Sequence, residues 1–271
     1  MVKILSDSTC DLSRELLEKY DISILPLHIL LGEKEYCDGV DITPDEIFQW
    51  SDAQKTTPKT SAPALDMAME MLEPFVKEKQ PVICFSISED MSTSANVMRM
   101  AASELEAEDL VTVIDSASLS TGIGLLVLHA AEMAQAGKTV EEIQTEIEEL
   151  KPKVRASFVV DTLVYLYRGG RCSGLAAMFG SALHLHPMIV VENGKMHSSK
   201  KYRGKLSKVI LDYAKDLKEQ MEQARSERVF ITHSGCSPEV VEKVQSYLEE
   251  LHIFDEILIT RAGGVISSHC G

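Results

Sequence analysis

The chain has 271 residues, 45% of them hydrophobic, 25% charged and 6% aromatic. These proportions exclude a disordered tail or a fibre and fit one large α/β domain or two smaller ones. Lys and Arg number 27 against 42 Asp and Glu, a net charge of −15 that disfavours nucleic acid and anionic membrane as partners.

Short β-branched runs alternate with longer amphipathic ones, the pattern of βα units around parallel sheets. Val2–Leu5 is expected to be a strand, leading through Ser6-Asp7-Ser8-Thr9 to a helix over Leu12–Lys19. Pro81–Ser86 reads as a second strand with a helix beginning near Ser92, and Asp109–Ile114 as a third, followed by a long helix from Leu119 to Gln135 that Gly137 ends. Val140–Leu150 is an acidic amphipathic helix with a solvated charged face, broken at Lys151-Pro152. The second half is expected to begin near residue 155, dividing the chain into domains 1–155 and 156–271. It opens with a strand at Phe158–Val160, an Arg/Gly loop and a helix over Leu175–Leu183. Met188–Val191 and Met196–Ser199 flank Asn193-Gly194, whose positive φ angles suit a tight hairpin turn. A helix from Lys205 to Ala224, a strand at Arg228–Thr232, a helix after Pro238 and a strand at Glu256–Thr260 follow. Six cysteines without a C-x-x-C, no apolar run near the roughly 18 residues of a membrane span, and no charged-then-apolar leader suggest reduced thiols, a cytoplasmic location and no stable membrane insertion.

In open α/β sheets, ligands bind beyond the carboxyl ends of strands. Here those ends carry Ser6 to Thr9; Ser86, Ser88, Ser92 and Thr93; Asp115, Ser116 and Ser118; and Thr232, His233 and Ser234. Thr60-Ser61-Ala62-Pro63 adds two hydroxyls before a helix. Each alone reads as a helix cap; together they suit an anionic oxygen ligand at helix N-termini. Other chemistries are absent from the sequence. No P-loop or G-x-S-x-G elbow occurs, and Gly122-Ile123-Gly124 lacks the third glycine of a dinucleotide fingerprint. His184-Leu185-His186 has no flanking ligand cluster and reads as structural, so no metal is expected. Arg168-Gly169-Gly170-Arg171 is either a carboxylate or phosphate grip or a basic surface turn. Met67, Met69, Met71, Met91, Met98 and Met100 are ordinary core or the adaptable wall of an alkyl tunnel.

Taken in order, Ser6-Asp7-Ser8-Thr9, Thr60-Ser61-Ala62-Pro63, Ser86–Ser94, Val113-Ile114-Asp115-Ser116, Arg168–Arg171 and Ser267-Ser268-His269 resemble the motifs of the DegV family of bacterial fatty-acid-binding proteins across the whole chain. The resemblance implies two α/β domains with largely parallel sheets and a long-chain fatty acid, such as palmitate, buried at their interface. It implies a non-catalytic protein without a cofactor, for lipid transport or for presenting the carboxylate to a separate ATP-dependent fatty-acid kinase. Carried over by motif, Thr60, Ser61 and Ser92 would hold the carboxylate, Arg171 and His269 would join that polar network, and Arg203 would meet the kinase. The chain departs from the family at Ala62 (usually Gln), at Ser92-Thr93-Ser94 (usually Ser-Gly-Thr) and at Ser173-Gly174 (often Gly-Lys). It also stops at Gly271, whereas family members usually continue for several more residues beyond the His motif. Two other classes stay open on the residues alone: a serine-dependent esterase or acyl transferase using Ser92 and His269, and a nucleotide- or sugar-phosphate-binding regulator using the hydroxyl-rich strand ends.

Overall fold

The computed structural model of the chain describes residues 1–173 and 185–271. The expected helix at 175–183 and His184 lie outside the described residues. The chain begins β1 (Lys3–Asp7), α1 (Arg14–Lys19), β2 (Ile22–Leu25), β3 (His28–Leu31), β4 (Lys34–Cys37), α2 (Pro44–Gln54) and β5 (Lys59–Ser61). Next come α3 (Leu65–Lys77), β6 (Val82–Ser86), α4 (Ser94–Glu104), β7 (Val111–Asp115), α5 (Thr121–Gln135) and α6 (Val140–Leu150). Four of these strands form an all-parallel sheet in the order β2-β1-β6-β7, with Ile4 opposite Ile22 and Ile83, and Phe85 opposite Ile114. Side chains alternate across it with period two. Ile4, Ile83, Phe85 and Ile114 face a core shared with α5, while Leu5, Val82, Cys84 and Val111 face a second core under α3 and α4. With helices on both faces, β1 and β6 are buried throughout, which is why they read as unbroken apolar runs.

The remainder runs β8 (Ala156–Val159), α7 (Val164–Gly169), β9 (Cys172–Ser173), β10 (Leu185–Glu192), β11 (Lys195–Arg203), α8 (Leu206–Asp216), α9 (Lys218–Met221), β12 (Arg228–His233), α10 (Pro238–Leu251), β13 (Glu256–Arg261) and α11 (Gly264–Cys270). β10 and β11 form the expected hairpin, turning at Asn193 (φ 50°) and Gly194 (φ 79°), with β8 and β9 on its two edges. β12 and β13 pair in parallel, and β4-β3-β5 form a small antiparallel sheet. The architecture is therefore α/β with parallel sheets, supplemented by antiparallel pairs. One core runs from Phe85 and Ile123 to Ile189, Met196 and Ile266, joining the first sheet to the hairpin and to α11.

Two local expectations change. The stretch expected as one helix from Lys205 to Ala224 breaks after Asp216 into α8 and α9. The Arg/Gly segment is helical through Gly169, and Gly170 (φ 67°) ends that helix in the left-handed region, which glycine reaches without Cβ strain. The glycine-rich end beginning at Gly263 forms α11, packed against α2, α7, β3 and β5. Among the described residues, no helix is long and apolar enough to cross a membrane.

Candidate functional site

A cavity of about 510 Å³ opens beyond the carboxyl end of β6, within the usual size range of small-molecule sites. Thr60, Ser61, Ser92, Arg171 and His269, drawn from four separate places in the chain, all line it. Its apolar wall comprises Leu27, Ile87, Met91, Leu119, Met196, Val265 and Ile266. Glu89 and Asp90 also reach it, so Arg171 stands as a cation among lining carboxylates. A second cavity of about 300 Å³ shares Asp90, Arg171 and Met196 with the first and adds Lys195.

Each polar group is positioned locally. Thr60 sits on β5 opposite Ile29 of β3, and its Oγ1 lies 2.7 Å from His269 Nε2. Ser92 and Thr93 form the turn from β6 into α4, and α4 begins one residue later at Ser94, placing its positive dipole end behind these hydroxyls. Ser92 Oγ lies 2.9 Å from Ser94 Oγ and accepts from the Ser94 N–H at 3.3 Å. The turn is braced from the hairpin, where buried Ser88 Oγ donates to the Gly194 carbonyl at 2.7 Å. Gly194 is required there for space as well as for its φ, because an added Cβ would sit 2.7 Å from Ser88 Oγ.

Arg171 follows the Gly170 cap. Its Nη1 donates to the Gly169 carbonyl at 2.7 Å and its Nε to the Met91 carbonyl at 3.5 Å, holding the guanidinium beside the cavity. Gly169 has its own steric reason, since a Cβ would lie 2.6 Å from His269 Nδ1. Burial, together with the nearby Arg171 charge, pushes the His269 pKa down to about 4, so the imidazole is neutral at pH 7. Nδ1 is buried without a partner among the described residues. An orphaned buried acceptor is better tolerated than an orphaned N–H, which assigns the proton to Nε2 and makes Nε2–H the donor to Thr60 Oγ1. The Thr60 hydroxyl proton is then left to donate into the cavity.

Other strand-end residues are spent inside the fold. Asp7 accepts from Thr9 and Ile87, Ser8 donates to Asp38, and Thr232 bonds Thr121 and Thr260. Ser267 and Ser268 of the terminal motif donate back to carbonyls at Ala262 and Gly264, so of that motif only His269 lines the cavity. Met67, Met69, Met71 and Met98 pack into the core under α3 and α4, whereas Met91 and Met196 line the cavity. His186 is buried between the Val160 and Gly204 carbonyls, a structural setting. Arg203 is exposed at the end of β11, away from both cavities. Among the described residues, no cluster of three His, Cys, Asp or Glu side chains is placed to hold a metal ion. Reading strand ends alone missed the apolar wall, for which Gly263-Gly264-Val265-Ile266 before a His was the available signal.

The family model for uncharacterised proteins of the DegV family matches residues 1–271. A DegV domain-containing protein of Clostridium perfringens is 38% identical over 203 residues, covering 75% of this chain and 72% of its own. A stearic acid-binding protein of Eubacterium ventriosum has a solved structure 32% identical in sequence with a TM-score of 0.86, over 100% of this chain and 95% of that one. The structure describing fatty acid binding of a DegV family protein from Thermus thermophilus gives 28% identity and a TM-score of 0.86 with the same coverage. This chain belongs to the DegV family.

Proposed function

We propose that the protein binds a long-chain fatty acid such as palmitate between two α/β halves divided near residue 155. The carboxylate is held by Thr60, Ser61, Ser92, Arg171 and His269. One observation carries the reading: hydroxyls, a guanidinium and a neutral imidazole from distant segments meet in a cavity whose other walls are largely aliphatic and thioether. Fatty-acid binding by the Eubacterium and Thermus relatives supports it.

The chemistry is consistent at both ends of such a ligand. A buried carboxylate is costly unless hydrogen-bonded. Thr60, oriented by His269 Nε2–H, and Ser92 supply neutral donors, and Arg171 supplies charge-assisted ones. Burying roughly 14 methylenes at about 0.8 kcal/mol each contributes about 11 kcal/mol before association costs, so the tail provides affinity and the polar groups orientation. Binding for transport or for presentation to an ATP-dependent kinase, with Arg203 on the partner-facing surface, fits this role. The thiol state of the cysteines fits a cytoplasmic setting. The arrangement favours binding over a serine esterase, because Ser92 Oγ is engaged by Ser94 and His269 Nε2 by Thr60.

Native mass spectrometry with lipid extraction tests the reading directly. A co-purified fatty acid supports it; a phosphorylated metabolite supports a regulator instead. Hydrolysis of acyl esters that depends on Ser92 would replace it with an enzyme. Palmitate at about 100 times its Kd should raise the melting temperature by roughly 5–10 °C.

A further inference from the structure

α11 is seven residues long, starts with Gly264 behind a Gly263 cap and contains Val, Ile and two Ser, a composition with little helical drive of its own. It is held from outside. The Gly263 N–H donates to Asp11 Oδ1 at 2.8 Å and the Gly264 N–H to Asp38 Oδ1 at 2.7 Å, with the Val265 N–H also bonded to Asp38. Both carboxylates are buried, at 6% and 2% exposure, and each has a second anchor: Ser120 Oγ on Asp11 Oδ2 at 2.5 Å, and Ser8 Oγ on Asp38 Oδ2 at 2.8 Å. The glycines make the approach possible. A Cβ on Gly263 would lie 3.0 Å from Asp11 Oδ1, and one on Gly264 would lie 2.8 Å from Asp38 Oδ1 and 2.6 Å from Ile29 Cδ1.

The far end of the same helix carries His269, whose partner Thr60 is on β5. Asp38 follows β4, and β4 and β5 flank β3 in one small sheet. That sheet thus grips α11 at both ends: Asp38 at its first turn, Thr60 at its last. His269 is five residues beyond Gly264, about 7.5 Å along the axis, and a slip of a single residue would move the imidazole by about 1.5 Å and rotate it by about 100°. We infer that Asp38, assisted by Asp11, is a positioning residue for the headgroup site, setting the register of α11 so that His269 meets Thr60. The ligand-affinity part of this inference rests on the fatty-acid reading; the placement of His269 does not.

The test uses the full chain carrying Asp38→Ala or the isosteric Asp38→Asn, each also in a His269→Ala background. Palmitate affinity is measured well below each variant's melting temperature, and the His269 ring-nitrogen signals are followed by NMR without palmitate. Asp38→Ala should weaken palmitate about tenfold, the cost of one misplaced headgroup hydrogen bond, and shift the His269 signals. Asp38→Asn should recover most of both. In the His269→Ala background, Asp38→Ala should cost less than about twofold more, because the effect travels through the imidazole. A lower melting temperature with unmoved His269 signals, or the same tenfold loss without His269, would overturn the inference. Should Asp38→Ala not fold, Asp38→Asn decides, with His269 signals identical to the parent counting against it. Failure of the parent to bind palmitate would remove the fatty-acid reading, while the NMR arm would still decide the positioning role.

Discussion

Replacing His269 with Gln removes a group whose titration opposes folding in acid, and the size of that effect follows from its setting. In an unfolded chain the imidazole takes a proton near its ordinary 6.5; in the fold, burial and Arg171 delay this to about 4. Above pH 6.5 both states are neutral and His269 adds no pH dependence. Between 6.5 and 4 only the unfolded state gains the proton, so the native state loses stability as pH falls. At 1.36 kcal/mol per pKa unit, a separation of about 2.5 units amounts to about 3 kcal/mol at pH 4. Asp7 works in the opposite direction. Its burial raises it from 3.8 to about 6, so its folded-state advantage is present below pH 3.8 and disappears as pH rises through 6. The parent's own pH curve therefore partly conceals both effects, and the comparison must be a difference. Urea unfolding of parent and His269→Gln at half-unit steps from pH 7.5 to 4 should show the parent losing about 3 kcal/mol relative to the variant on going from pH 7 to 4. A difference constant to within about 1 kcal/mol over that interval would refute the neutral, desolvated imidazole and the Thr60 hydrogen-bond polarity built on it.

Other substitutions probe separate links of the argument. Ser92→Ala should weaken palmitate about three- to tenfold by titration while leaving the melting temperature within about 2 °C, since it removes a hydroxyl at a cavity edge and no core contact. Equal ligand stabilisation in mutant and parent would remove Ser92 from the site. Gly264→Ala should destabilise by about 1–3 kcal/mol in urea unfolding, because its Cβ meets Ile29, Ile47 and Asp38 at 2.6–2.8 Å. Phe85→Ala, at a fully buried position of the central strand β6, should cost about 3–5 kcal/mol in the same assay.

The parts of the fold legible in advance are those whose sequence pattern and burial agree locally. β1, β6 and β7 lie in a sheet covered on both faces, so their apolar runs announce them, and Asn193-Gly194 announces a turn that no other common dipeptide makes as readily. β2 to β5 were missed because strands of three or four residues supply too few positions for a period to register. α2 did leave a local mark, the capping box of Thr43 and Glu46 with Pro44 between them. α8 and α9 show the reverse error: one continuous amphipathic pattern spans a break after Asp216, at Leu217.

The site divides along the same line. Ser92 was visible from topology, since a residue leaving a parallel strand for a helix sits where such sheets bind ligands. Thr60 and Arg171 carried only ambiguous local signals, a hydroxyl before a helix and an arginine beside glycines, and His269 stood out only through ordered motifs, because no local pattern says that β5, the loop after α7 and the last helix approach one another. Asp11 and Asp38 gave no signal at all. An aspartate beside a turn is ordinarily a cap for its own neighbours; these two cap a helix more than 220 residues away. The physical reason is that α11 cannot stabilise itself and borrows its first hydrogen bonds from the opposite end of the chain. That dependence ties the formation of the cavity's polar corner to closure of the whole fold. His269 reaches Thr60 only once β3, β4 and β5 are in place, so a chain in which any of these is disrupted should lose the headgroup site before it loses the parallel sheet.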